Sequence, residues 1–188
     1  MVHGRVAPVR RGTSALAFVL VGCAEPAPPG ELRCGQPGVL VDLGDPADLE
    51  ELAGCTTLAG SLRIGDSALA DVDGLDRLRV IDGTLNFFRN PGLVDLHGLR
   101  NLESVGGEVL VHHNPELASL SDLERLHATG GLLVSSNANL TQLDLDRLAT
   151  VTGDLRIISN PALPQTDAEQ FASGLVVTGA VDVSDNAP

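Results

Sequence analysis

The sequence contains very few aromatic residues. It has four Phe and neither Trp nor Tyr, so aromatics make up 2% of the 188 residues. Hydrophobic residues nevertheless reach 43%, which excludes a disordered acidic chain. A conventional globular core would use more rings, because each ring buries a large area. Leu, Val and Ile must fill this interior, which is typical of a narrow solenoid built from stacked small layers.

Lysine is absent, and acidic residues predominate. Twelve basic residues, all of them Arg, oppose 25 acidic ones, and the formal net charge is −13 at pH 7. Such a charge disfavours binding to nucleic acid and electrostatic attraction to anionic lipid. Two of the three Cys are left for the folded domain, and no CxxC pattern is present, so we predict neither a metal site nor a cofactor. Signatures of serine hydrolases, zinc proteases and P-loop enzymes are also missing.

Residues 1–22 have the parts of a bacterial signal peptide. Three arginines precede a short apolar run over 15–21, which is too short to span a bilayer. The run ends in Leu-Val-Gly-Cys at Cys23, which resembles the lipobox of bacterial lipoproteins. The resemblance implies cleavage before Cys23 and a lipid on its sulfur, with each buried CH₂ adding about 0.8 kcal/mol of membrane affinity. The alternative is an ordinary signal peptide with a chance cysteine.

Residues 23–33 are rich in Pro, Ala and Glu, as expected of a tether between a membrane anchor and a domain. Without the first 22 residues, nine arginines oppose 25 acidic residues, a formal charge of −16. The membrane is then a partner only through the lipid on Cys23. We expect a location in the bacterial cell envelope, at the outer membrane or cell surface, and a repeat domain over 34–188.

Cys34 and Cys55 are the two cysteines that follow the anchor. An exported domain permits a disulfide between them, which would close a cap over the N-terminal end of the repeats. For a loop of about 20 residues, the loop-entropy model gives roughly 3 kcal/mol of stabilisation.

A repeat with a period of about 23–24 residues runs from Gly60 to the C-terminus. Apolar residues two and four positions after each repeat glycine alternate, which is typical of a short strand with one buried face. Leucines then recur about every third residue, a spacing that fits a coil with short sides and regular corners. We predict a mainly β solenoid of about five to six coils. Its frame-setting glycines, spaced by 23, 24, 23, 23 and 26 residues, are Gly60, Gly83, Gly107, Gly130, Gly153 and Gly179.

An asparagine, or a substitute for it, follows each strand at the corner of the coil. Three of these residues precede Pro, which marks a turn. We expect the stacked amides to bond the turn of the next coil and so satisfy polar groups inside the corner, rather than to bind a ligand. In the first repeat we assign Asp66 to the position of this asparagine, which makes that repeat one residue shorter than the others. The predicted column is Asp66, Asn90, Asn114, Asn137, Asn160 and Asn186.

The last repeat is longer, and its extra residues predict one short helix near the C-terminus. Thr166 and Glu169 have the spacing of a capping box, Asp167 lies in the first turn, and Gly174 ends the helix. A final strand over 180–184 follows.

The capped cysteine pair followed by coils of the form G-x-L-x-I-x-x-N-P-x-L resembles the receptor L-domain of the insulin and epidermal-growth-factor receptors. The resemblance covers about Cys34 to Asn186 and implies a leucine-rich right-handed β-helix that binds a partner through a sheet face. A leucine-rich-repeat horseshoe is the nearest competitor. Its spacing requires apolar residues at Gly106 and Glu116, whereas the apolar residues lie one position away, at Val105 and Leu117.

The outward strand positions are unusually apolar for a surface exposed to water. They form a partner-binding patch, a second buried face, or a set of scattered surface apolar residues, and the sequence leaves these three open. His112 and the adjacent His113 face opposite ways on a strand, so a shared metal is not expected. The candidate binding face, which also includes Leu133, is Arg63, Asn86, Phe88, Leu110, His112, Arg156 and Ile158.

The sequence therefore predicts an envelope lipoprotein whose solenoid binds a protein or glycan at the cell surface. A structural spacer without a discrete ligand is the alternative. A carbohydrate-active β-helix enzyme is a third possibility, but it would need clustered carboxylates on one face. The acidic residues Asp71, Asp73, Asp95 and Asp122 are instead interspersed among leucine corners, and we expect no enzyme.

Overall fold

The computed structural model describes residues 31–188. The predicted signal peptide, Cys23 and most of the tether lie outside this part. Within it the fold is mainly β, with twelve strands that form one open sheet in which every strand pair is parallel. None of the helices in residues 31–188 combines the length and the apolar character that crossing a membrane requires.

The strands divide into short and long ones that alternate along most of the chain. In chain order, β1 to β12 are Arg33–Cys34, Leu40–Leu43, Thr57–Leu58, Ser61–Gly65, Val80–Ile81, Leu85–Phe88, Ser104–His112, Ala128–Ser135, Thr150–Val151, Leu155–Ile158, Val176–Val177 and Val181–Ser184. The helices are α1, Pro46–Leu49, and α2, Gln165–Ser173, and 3₁₀ turns lie at Glu50–Leu52, His97–Leu99 and Ser121–Leu123.

Each strand pairs with the equivalent strand one repeat further along. The long strands follow the order β2-β4-β6-β7-β8-β10-β12, and the short ones follow β1-β3-β5-β7-β8-β9-β11. Strands β7 and β8 belong to both rows, and the register between them shifts at Val105 and Glu108. The two rows are therefore parts of one sheet, joined where β7 and β8 contribute to both.

The repeat glycines lie where neighbouring backbones approach too closely for a side chain. A Cβ on Gly83 would lie 2.7 Å from the carbonyl oxygen of Gly60, and one on Gly107 would lie 2.8 Å from the carbonyl carbon of Gly83. The N–H groups of Gly83 and Gly107 each donate 2.9 Å hydrogen bonds to the preceding glycine's carbonyl. Close stacking, and not an unusual φ, is what requires glycine at these positions.

Leucines at every third residue point into the core, as predicted. Leu93, Leu96, Leu99 and Leu102 are all 0% exposed. The 3₁₀ turn His97–Leu99 explains the spacing, because a 3₁₀ helix has about 3 residues per turn and places i and i+3 on the same side. One continuous cluster of buried apolar side chains extends from Cys34 to Ala168.

The predicted disulfide between Cys34 and Cys55 is present, with both cysteines buried and their Cα atoms 5.9 Å apart. It encloses β2 and α1, a one-turn helix that the sequence analysis did not predict. Asp45 caps α1, its side chain accepting a 3.1 Å bond from the N–H of Ala47. The N–H of Leu32 donates a hydrogen bond to Thr56 Oγ1 at 2.8 Å. Leu32 thus contacts the domain, although the tether was expected to extend to residue 33.

Helix α2 begins differently from the prediction. Pro164 is its N-cap, no side chain caps it, and Thr166 is already its second residue. The capping box of Thr166 with Glu169 is therefore wrong. Instead Gln165 Nε2 donates to Glu169 Oε1 at 2.9 Å and to the carbonyl of Val183 at 2.8 Å, which ties the helix to β12. Gly174 ends the helix at the expected place.

Candidate functional site

A column of asparagines runs through the buried corner of the stacked repeats. Each Nδ2 donates to a strand carbonyl of the preceding repeat, as Asn137 does to Val111 at 2.9 Å and Asn160 does to Val134 at 3.0 Å. From Asn114 onward, each Oδ1 accepts hydrogen bonds from the asparagine before it. At the C-terminal end, Asn186 has its N–H and Nδ2 bonded to Gln165 Oε1 at 3.3 and 3.0 Å. Because the amide groups are occupied within the fold, this column has a structural role.

The column begins at Ser67 and not at Asp66. Ser67 is 4% exposed, and its hydroxyl donates to Asn90 Oδ1 at 2.7 Å. Asp66 is exposed at φ 52° and matches Arg89, which has φ 53°. The first repeat is therefore not one residue shorter. Its aspartate takes the left-handed position before the corner and pairs with Arg63 outside, which leaves the inward position to the serine.

The predicted binding residues lie in two adjacent rows on the outward face of the long strands. Phe88, His112 and Ile158, the last residues of β6, β7 and β10, belong to the second row. None of the predicted residues is buried, so the face is not a second core. We call these rows the outward face: the first is Asp42, Arg63, Asn86, Leu110, Leu133, Arg156 and Asp182, and the second is Gly65, Phe88, His112, Ser135, Ile158 and Ser184.

Cationic and imidazole side chains surround Phe88 on this face. The ring of His112 lies 4.7 Å from the Phe88 ring, centroid to centroid, and that of His113 lies 5.9 Å away, edge-on. The guanidinium carbons of Arg89 and Arg63 lie 4.7 and 6.0 Å from the Phe88 centroid, within the range of cation–π attraction. We call Arg63, Phe88, Arg89, His112 and His113 the Phe88 cluster.

Gly65 makes room for one member of this cluster. A Cβ on Gly65 would lie 2.8 Å from the guanidinium carbon of Arg63. The Arg63 side chain therefore covers the position where a second-row side chain of β4 would stand. From there it bonds Asp42 at 2.7 Å and Asp66 at 3.0 Å. The hydrogen bond to Asp42 is the main cause that raises the pKa of Arg63 above its usual value, so this arginine stays charged and paired.

The other polar members of the cluster, Arg89 and the two histidines, have no acidic partner within salt-bridge distance in the described part of the chain. Burial lowers the pKa of His112 below its usual value, and the positive charges of His113 and Arg89 lower it further. His112 is thus mostly neutral at pH 7, with its Nε2 3.2 Å from Asn86 Oδ1. Arg89 is therefore an exposed positive charge without a carboxylate partner among residues 31–188 of this acidic protein.

An aliphatic strip adjoins the Phe88 cluster on the side of the later repeats. Leu110 and Leu133 are register partners in the first row, and Ile158 lies in the second row next to Ser135. All three leucine and isoleucine side chains are half-buried. Arg156 borders the strip and bonds Asp154 at 2.8 Å. Asp154 also accepts a bond from the N–H of Ala180, the main cause that lowers the pKa of this aspartate.

Three of the acidic residues among the leucine corners accept hydrogen bonds from the backbone. Asp71 accepts from the N–H of Asp73 at 3.1 Å, Asp95 from that of His97 at 3.1 Å, and Asp122 from that of Leu96 at 3.0 Å. They stabilise the leucine corners and do not converge. In the part of the chain that the structure describes, no group of three or more His, Cys, Asp or Glu side chains is arranged to hold a metal ion.

A groove of about 480 Å³ lies between α2 and residues 141–148. Its lining includes Leu163 and Phe171 as well as the acidic residues Asp144, Asp146 and Asp167. None of the predicted binding residues contributes to this groove. The outward face and the groove are thus separate features of the domain.

Most of the sequence matches the model of a known family. The model of the Receptor L domain family matches residues 54–174, more than half of the chain, from just before Cys55 to the end of α2. This chain belongs to the receptor L domain family. L domains are ligand-binding domains and not enzymes, in agreement with the expectation for this chain. No curated protein sequence matches the chain.

Two residues of this L domain's Phe88 cluster were missed from the sequence. Arg89 and His113 each stand directly before a column asparagine with φ 53° and 60°, and both contact Phe88. The signal was present, because the residue before each column asparagine is polar in every repeat. Strand alternation assigned His113 to the opposite side from His112, whereas the left-handed backbone places their rings 5.7 Å apart.

Proposed function

We propose that this L domain belongs to a cell-envelope lipoprotein and binds a protein or glycan partner through its outward face. The observation that carries the proposal is the composition of that face. Aromatic, aliphatic and cationic side chains stand half-buried in two adjacent rows on a rigid parallel sheet. Contiguous apolar surface of this kind, bordered by polar groups, is typical of interaction sites.

We further infer that the repeats wind as a right-handed β-helix of five to six coils. Parallel pairing of each strand with its equivalent one repeat later supports this winding. A crossover between parallel strands of one sheet is right-handed in nearly all proteins. Such a helix would hold the rows of the outward face at the fixed strand spacing of about 4.8 Å, so that the partner would meet a preformed surface.

The membrane anchor rests on the sequence around Cys23, outside the described residues. Lipid on Cys23 would hold the domain at the outer membrane or cell surface, with residues 23–33 as the tether. Metabolic labelling with palmitate tests this. The wild-type chain should be labelled and the Cys23→Ser variant should not, whereas equal labelling of both would exclude Cys23 as the attachment site.

Binding is tested by capture from cell-surface extracts with the full chain carrying Cys23→Ser. A triple variant, Phe88→Ala with His112→Ala and Ile158→Ala, changes the outward face. A matched triple variant, Val94→Ala with His97→Ala and Arg125→Ala, changes exposed residues outside it. We expect the first to lose the captured partner and the second to retain it. Equal capture by both would place binding elsewhere.

A structural spacer without a ligand is the second candidate, favoured by the stacked and regular core. Failure of the wild-type chain to capture any partner above background would support the spacer. An enzyme of the β-helix type is disfavoured by the family assignment and by the carboxylates committed to backbone N–H groups. Turnover of surface polysaccharides by the purified chain would contradict that view.

A further inference from the structure

We propose that the partner is a protein segment that places a carboxylate against the Phe88 cluster and aliphatic side chains against the adjoining strip, and that mild acid tightens the contact. The inference rests on the proposed function and specifies it. The proposed function states that a protein or glycan binds the outward face. The inference adds the chemical character of that partner.

Charge selects an anionic group at the Phe88 cluster. Arg89 is exposed, has no carboxylate partner among residues 31–188, and lies beside two imidazoles. The chain as a whole carries a net charge of −13, so an acidic partner is repelled from most of the molecule. A guanidinium left without a partner and partly covered by an aromatic ring is well suited to a carboxylate, which it can bind through two parallel hydrogen bonds.

The aliphatic strip favours a protein over a glycan as the source of that carboxylate. Leu110, Leu133 and Ile158 offer no hydrogen-bonding side-chain groups to the hydroxyls of a sugar. Phe88 is in contact with His112 and Arg89, so its ring is not free to stack on a pyranose. A peptide with Leu, Ile or Val side chains near an Asp or Glu would satisfy both parts of the face.

The position of Glu108 predicts the end of the strands at which the partner's carboxylate binds. Glu108 is exposed on β7, on the same strand face as Leu110 and His112. Four residues separate it from His112, roughly 13 Å at a rise of about 3.3 Å per residue. Near the Phe88 cluster, the face therefore carries a carboxylate at the start of β7, and the unpaired Arg89 with two imidazoles lies at the strand ends. A carboxylate on the partner is expected to settle at the His112 end.

Protonation of His112 couples this contact to pH. The groups that face it are Phe88 and Asn86 on β6, Arg89 after β6, Ser135 on β8 and the adjacent His113. None of these is an acid, so the protonated ring has no anion to pair with in the free protein. A bound carboxylate supplies that anion and stabilises the charged ring. Binding is therefore expected to take up a proton and to strengthen as the pH falls.

A phage-displayed library of random dodecapeptides, panned on the full chain with Cys23→Ser at about pH 5.5, tests the inference. The selected peptides should contain Asp or Glu beside Leu, Ile or Val. Synthetic copies should bind several-fold more tightly at about pH 5.5 than at about pH 7.5, a range in which their carboxylates remain ionised. Arg89→Asn, which fits the left-handed backbone at that position, should weaken them about tenfold.

Matched variants keep the test independent of folding. Arg125→Asn removes an exposed arginine outside the face and should leave peptide affinity unchanged. His112→Gln with His113→Gln should abolish the pH dependence while the melting temperature stays close to that of the parent chain. Selected peptides without acidic enrichment, tighter binding at the higher pH, or affinity that Arg89→Asn does not alter would each overturn the inference.

Two further outcomes separate this inference from the proposed function. Polygalacturonate serves as the anionic glycan probe. If it binds in place of peptides, and the Phe88, His112 and Ile158 triple variant abolishes this binding, the outward face remains the binding site and the protein partner is wrong. If neither peptides nor polygalacturonate bind, the inference falls, and capture from cell-surface extracts decides the proposed function separately.

Discussion

The Oδ1 atom of Asn114 accepts two hydrogen bonds from Asn90, one from the backbone N–H at 3.1 Å and one from Nδ2 at 3.0 Å. Asn137 receives the same pair of bonds from Asn114, at 3.0 and 3.3 Å. All three residues are 0% exposed, so water does not substitute for these bonds. A single side-chain oxygen thus joins each repeat to the one before it.

Replacing Asn114 by Ala is expected to destabilise the domain by about 2–6 kcal/mol. Two buried donors of Asn90 lose their acceptor, and each unsatisfied group costs roughly 1–3 kcal/mol. Urea unfolding followed by circular dichroism measures the loss. Asn139→Ala is the matched control, because Asn139 is exposed and its change should fall within about 0.5 kcal/mol. Equal midpoints for the two variants would contradict a structural role for the column.

A methyl group on Gly153 is expected to lower stability by about 1–3 kcal/mol or more. Its Cβ would overlap the carbonyl oxygen of Gly130, and a backbone atom cannot rotate away. Gly44→Ala is the control, since a Cβ there meets nothing within 4 Å, and it should be neutral or slightly stabilising. Thermal unfolding of both variants gives the comparison. The close stacking of the repeats would be refuted if Gly153→Ala melted with the wild type.

Removing the disulfide with Cys34→Ser and Cys55→Ser is expected to cost about 3 kcal/mol, given a sequence separation of 21 residues. Non-reducing mass spectrometry of a proteolytic digest should first show the two cysteines in one linked peptide pair. Denaturant unfolding of the double variant then gives the energy. Two free thiols in the purified, unreduced wild type would contradict the pairing.

His112 should titrate below its ordinary pKa of 6.5, because burial and the charges of His113 and Arg89 disfavour its protonated form. Arg89→Asn should move the pKa upward, and Arg125→Asn should not. Since the unfolded chain binds this proton more readily, His112 lowers stability as the pH falls from about 6.5 toward the folded pKa. NMR titration of the ring nitrogens measures the pKa of His112 in the parent chain and in the two variants. A pKa at or above the usual value in the parent chain would contradict the expected shift.

Spacing carried most of the information that the sequence held about the fold. Three local patterns have a direct geometric meaning: the glycine period, the strand alternation and the leucine triplets. The disulfide pairing was also predictable, because the domain has only two cysteines. Asp66 was misassigned because Asp and Asn are similar in shape, although the seven-residue spacing from the repeat glycine falls on Ser67. The strand register and the bond to Asn90 confirm that Ser67 faces inward. Gln165 starts α2 and also bonds β12, a non-local contact that capping rules do not include.

The composition of the outward face could also be predicted from the sequence, but the arrangement of the side chains in the Phe88 cluster could not. Alternation along the strands selected Phe88 and His112 correctly as outward positions. The contact of Arg89 with Phe88 depends on a left-handed residue at the end of the strand. The position of Arg63 depends on the absence of a side chain at Gly65 in the same repeat. These features follow from the stacking of repeats and not from any one repeat.

The two ends of the asparagine column are closed by residues from outside the repeating pattern. Ser67 donates into the first link, and Gln165 accepts from Asn186 in place of a further asparagine. Every inner link of the column consists of the same hydrogen bonds between asparagines. The interior of the column thus does not fix the number of repeats. A 23-residue unit such as 107–129 can therefore be duplicated while both terminators stay intact. The domain is extensible by unequal recombination or by design, and each added unit widens the outward face by one strand.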